Sequence, residues 1–81
     1  MKYSLYLGFT TIFEDDVRLF NDLLLENVTL QEIIDYLLKE ENITVDDKTL
    51  DKLSSRHKAT IEKERENNEF YLDTFTIVEE E

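Results

Sequence analysis

Asp51, Ser54, Ser55 and His57 sit within one short stretch and include every residue type of a nucleophilic triad. A serine nucleophile needs a base at hydrogen-bond distance, an orienting acid and donors for an oxyanion. These normally come from separate elements, with glycine at the tight turn. Here one helical segment holds all four residues and has no glycine, so the spacing argues against catalysis. His57 is expected to pad the edge of the core between Leu53 and Ile61, with a pH-sensing role as the alternative. The carboxylate pairs Asp15-Asp16, Glu40-Glu41 and Asp46-Asp47 lack the alternating acids and central glycine of a calcium loop. One glycine cannot build a phosphate-binding loop, and a chain with no cysteine and 1 His excludes thiolate chemistry and His-rich metal sites. The expectation is a non-enzyme with no catalytic residue, metal or other cofactor.

The elements that would position any site follow from periodicity. Tyr3, Leu5, Leu7 and Phe9 alternate with Ser4, Gly8 and Thr10, the period of a half-buried strand. Gly8 inside it reads as a tolerated small residue rather than a bulge. Glu14, Asp15 and Asp16 precede Val17, Leu19, Phe20, Leu23 and Leu24, which predicts a first helix over about 15–26, stopped at Asn27. Thr29 and Glu32 form a capping box, Val28 is placed to staple onto Ile33, and the stripe Leu30, Ile33, Ile34, Leu37, Leu38 predicts a second helix ending at Asn42.

Asp46 or Asp47 starts a third helix, with Val45 stapling onto Leu50. Leu50, Leu53, His57 and Ile61 share one face, so the helix is expected to run to Asn67-Asn68 unless Ser54-Ser55 splits it. Residues 70–78, aromatic and β-branched, predict a second strand. Its apolar phase slips at Asp73, implying a bulge there or burial of both faces. The expected fold is α+β in the order β-α-α-α-β: three helices, or four, packed on a small two-stranded sheet. At 81 residues this is one compact domain, 1–81, with an acidic tail at 79–81. No stretch approaches the roughly 20 apolar residues of a membrane span, and the amino-terminal run lacks a signal-peptide cleavage site. The expectation is a cytoplasmic protein of a prokaryote or an infected host cell.

Charge distribution is the informative feature. The chain holds 20 Asp+Glu against 9 Lys+Arg, a net charge of −11. Residues 1–47 carry −8, residues 48–66 carry +2 and residues 67–81 carry −5. An acidic helical surface can occupy a cleft built for phosphates, steering encounter by complementary potential. The candidates are Glu14, Asp15, Asp16, Asp22 and Glu26 on the first helix, extended by Asp35, Glu40 and Glu41 on the second. The competing reading is a helix-turn-helix regulator whose third helix touches DNA through Lys48, Lys52, Arg56 and Lys63. The field of an acidic molecule opposes that.

In size, acidity and lack of cysteine the chain resembles small proteins that phages and mobile elements encode to block host nucleic-acid machinery, including DNA mimics and anti-CRISPR proteins. Acidic antitoxins have the same arithmetic. The resemblance is one of composition, carries no residue over, and implies host-defence evasion through a basic-grooved nuclease, restriction complex or polymerase. The sequence therefore predicts a non-enzymatic inhibitor or regulator that binds a basic, nucleic-acid-handling protein. It predicts no membrane partner and no direct nucleic-acid contact. The other classes are the DNA-binding regulator, an antitoxin, and a structural subunit that forms a homodimer through a strand edge.

Overall fold

A computed structural model describes residues 1–11, 22–65 and 68–80, and these described residues form one antiparallel sheet and two helices. The order is β1 (Lys2–Thr11), β2 (Asp22–Val28), α1 (Leu30–Glu41), α2 (Asp47–Arg56), β3 (Lys58–Arg65) and β4 (Asn68–Glu80). The strands lie side by side as β2-β1-β4-β3, so the two longest strands are central and β2 and β3 are the edges. The α+β class stands, but the two-stranded sheet with three or four helices does not.

Two segments account for the correction. Residues 22–26, expected to finish a first helix stopped at Asn27, belong instead to the strand Asp22–Val28 paired with β1, while residues 12–21 lie outside the described residues. Residues 58–65, expected to continue the third helix, are a strand paired with β4. Leu53, His57 and Ile61 do fit a helical stripe. Ala59, Ile61 and Lys63 fit a period of two equally well, and β4 offers that period a hydrogen-bonding partner. The helix ends at Arg56, one residue after Ser54-Ser55: the cap His57 takes the left-handed conformation, φ 62°, and its N–H donates to the Leu53 carbonyl.

The first of the observed helices forms as its local chemistry dictates. Thr29 Oγ1 accepts from the Glu32 N–H at 3.2 Å, and the Thr29 N–H donates to Glu32 Oε2 at 2.9 Å. Asn42 closes the helix at φ 54°, and the Ile43 N–H returns to the Leu37 carbonyl at 2.9 Å, which delivers Ile43 into the core beside Leu37. Val28 and Val45, the residues before the two N-caps, both pack on that core.

Both helices cover one face of the sheet. Leu5 and Ile77 face each other across β1 and β4, Ala59 joins them from β3, and Phe75, paired with Leu7, lies two pairs further along the ladder. With Ile33, Leu37, Ile43 and Leu53 from the helical layer they form the core. Burying a ring such as that of Phe75 contributes ~1.5–3 kcal/mol. The opposite face is also buried in its middle: Ser4 and Thr74 are 1% and 4% exposed. The phase slip in β4 is explained by this two-sided burial. The ladder runs without interruption through Phe9↔Asp73 and Gly8↔Thr74, so there is no bulge at Asp73. The irregularities lie elsewhere, at Glu64/Arg65 in the β3–β4 pairing and at two places along β2.

Candidate interaction surface

The residues with catalytic types do not converge. Ser55 Oγ donates to the Asp51 backbone carbonyl at 2.9 Å, a bond inside its own helix. His57 is exposed at the helix end rather than padding the core, and its Nδ1 sits 2.8 Å from Glu79 Oε2 on β4. The Glu79 N–H also donates to the His57 carbonyl at 2.9 Å, so the pair ties the end of α2 to the sheet. Among the described residues no group of three His, Cys, Asp or Glu could hold a metal ion. Asp46 caps α2: its Oδ1 accepts from the Thr49 hydroxyl at 2.7 Å and the Thr49 N–H at 2.9 Å. These bonds, the hydroxyl's first, hold its carboxyl below the usual carboxylate range.

The acidic residues singled out by sequence separate into different places. Glu14, Asp15 and Asp16 lie outside the described residues. Asp22 and Glu26 are on a strand, not a helix. Glu26 lines a polar depression of about 640 Å³ on the sheet face away from the helices, with Ser4, Tyr6, Asn27 and Glu80. Glu41 turns toward β3, where the Lys63 ammonium donates to its backbone carbonyl and lies 3.7 Å from its carboxylate. Asp35 and Glu40 remain exposed on α1.

Those two carboxylates border a second groove, of about 480 Å³, between β2 and α1. Its strand side is Leu25 and Val28, both half-buried, and Tyr36 is the apolar contribution of the helix. Glu32, Asp35, Lys39 and Glu40 complete it, and with Tyr36 they repeat at three- and four-residue steps, which puts them along one side of the helix. Sequence reasoning missed the apolar half of this groove. The run Leu23-Leu24-Leu25 has no period that separates a strand from a helix, and nothing local places Val28 beside Tyr36.

The basic ridge also shrinks. Lys48, Lys52 and Arg56 lie along one exposed side of α2, but Lys63 belongs to β3 and is engaged by Glu41. α1 packs on β1 and β2, and α2 packs on β3 and β4. A helix-turn-helix instead requires its two helices to brace each other. The strand edges carry protective features too: register shifts interrupt β2, and Lys63 is an inward-pointing charge on β3. No described helix is long and apolar enough to cross a membrane.

In comparisons with known proteins, no family model, curated protein or solved structure matches the chain. The expectation of a phage-encoded, anti-CRISPR or host-defence role, drawn from composition, therefore gains no support. The architecture that accompanied it is corrected to four strands and two helices among the described residues.

Proposed function

We propose that the protein is a non-enzymatic binding protein that engages a basic surface of a nucleic-acid-handling partner through the side formed by α1 and β2. One observation carries this reading. Glu32, Asp35 and Glu40 stand exposed along one side of a capped helix, with Lys39 the single cation among the described lining of the adjoining groove. Carboxylates on an ordered helix keep fixed spacing, so their attraction for a cationic partner steers encounter and selects orientation. The net charge of −11 adds a long-range field of the same sign. A cytosolic setting suits a chain without cysteine.

The test is capture on immobilised protein, with duplex DNA as a competitor for the partner's basic surface. Retention should fall when DNA is added and as salt is raised from about 0.05 to about 0.5 M. It should fall again for the variant combining Asp35→Asn and Glu40→Gln. Retention indifferent to both changes removes this reading. The exposed stripe Lys48, Lys52 and Arg56 favours a second one, direct contact with nucleic acid through α2. Duplex DNA titrated at low salt separates the two, because the first predicts no complex and the second predicts one that weakens steeply with salt.

A further inference from the structure

The groove between β2 and α1 differs from a merely solvated acidic face in having an apolar side. Leu25, Val28 and Tyr36 are only half-buried there, so their apolar surface is still partly in contact with water. Covering such surface is favourable in proportion to its area, and a volume near 480 Å³ admits a large apolar side chain with its neighbours. The carboxylates beside it are oriented: Asp35 Oδ1 accepts from Gln31 Nε2 at 2.9 Å, and Glu32 Oε2 accepts from the Thr29 N–H at 2.9 Å. These neutral donors aim the two groups without cancelling their charge.

We propose that this groove docks an exposed segment of a partner protein in which a large apolar side chain is flanked by Lys or Arg. The inference rests on the basic-partner reading above and adds the apolar anchor to it. The anchor would sit against Leu25, Val28 and Tyr36, and the flanking cations would meet Glu32, Asp35 and Glu40. Seating the anchor expels water, which strengthens the charge pairs around it. The arrangement is that of a desolvated hot spot within a polar rim. Side chains, rather than an added strand, carry the recognition. β2 shifts register against β1 between Tyr3 and Leu5 and again between Leu5 and Tyr6, and an irregular edge strand is a poor template for continuous pairing.

Three pools of short peptides, titrated into the isotope-labelled full chain and followed by amide chemical shifts, test this. The first has a central Leu, Ile or Phe flanked by Lys or Arg. In the second the central residue is Ser, and in the third the cations are Gln. The first pool should shift Leu25, Val28 and Tyr36, bind about tenfold more tightly than either other pool, and weaken as salt rises. Tyr36→Ser should erase the preference for an apolar centre. Asp35→Asn with Glu40→Gln should weaken binding several-fold and leave that preference intact. The pools compared on the unaltered chain decide the matter even if Tyr36→Ser fails to fold. Equal binding of the first and second pools overturns the anchor and leaves the basic-partner reading standing. Equal binding of the first and third overturns the acidic rim and that reading with it. No binding of any pool overturns the docking site.

Discussion

Thr74 offers a sharp test of how the sheet is assembled. Its side chain is on the face away from the helices, it is 4% exposed, and its Oγ1 has no hydrogen-bond partner among the described residues. A hydroxyl buried without a partner forfeits its hydrogen bonds to water, which costs about 1–3 kcal/mol. Thr74→Val replaces that hydroxyl with a methyl group of nearly the same shape and keeps the β-branch that suits a strand. The variant should be more stable by about 1–2 kcal/mol, since native burial is rarely complete and the new methyl group gains contacts. For a domain of this size that corresponds to a rise of roughly 4–16 °C in Tm. Urea unfolding is the assay: the midpoint should rise with the slope unchanged. Thr76→Val is the control. Thr76 Oγ1 lies 3.2 Å from the Oγ1 of the exposed Thr60, so the change should stay within about 0.5 kcal/mol. A Thr74→Val protein no more stable than the parent would refute the reasoning, because the hydroxyl would then be satisfied in solution.

Three further expectations follow from the helix ends. Thr29→Ala should cost about 1 kcal/mol, and combining it with Glu32→Ala should cost less than the sum, since the two residues serve one reciprocal box, as a double-mutant cycle in urea would measure. His57→Gly and His57→Ala both lose the Glu79 contact, but only glycine accepts φ 62° freely, so the glycine variant should be the more stable by about 1 kcal/mol. Because the Asp46 carboxyl is held below its ordinary value in the folded chain, its contribution is present at neutral pH and is lost as pH falls through that depressed value. Asp46→Asn keeps a capping oxygen without the charge, so the gap in urea midpoint between parent and variant should narrow from about pH 7 to about pH 3. A constant gap would show that the capping bonds do not favour the ionised form.

What could be read from sequence was what is local in sequence. The capping box at Thr29, the stripe Ile33-Leu37 and the left-handed stop at Asn42 act within a few residues of one another, and the second predicted helix is the one observed as α1. The alternation from Tyr3 to Phe9 and the β-branched run before Val78 likewise announced the two central strands. Net acidity and the lack of cysteine need no fold at all. The tertiary structure decided the rest. Residues 22–28 and 58–65 have side-chain patterns that fit helix and strand alike, and a strand is completed only by hydrogen bonds to a partner distant in sequence, here β1 for one and β4 for the other. That pairing moved Asp22 and Glu26 off the expected helix, took Lys63 out of the basic ridge, and brought Leu25 and Val28 up to Tyr36. The groove exists because non-local backbone pairing sets an edge strand beside a helix, and local spacing carries no record of that placement.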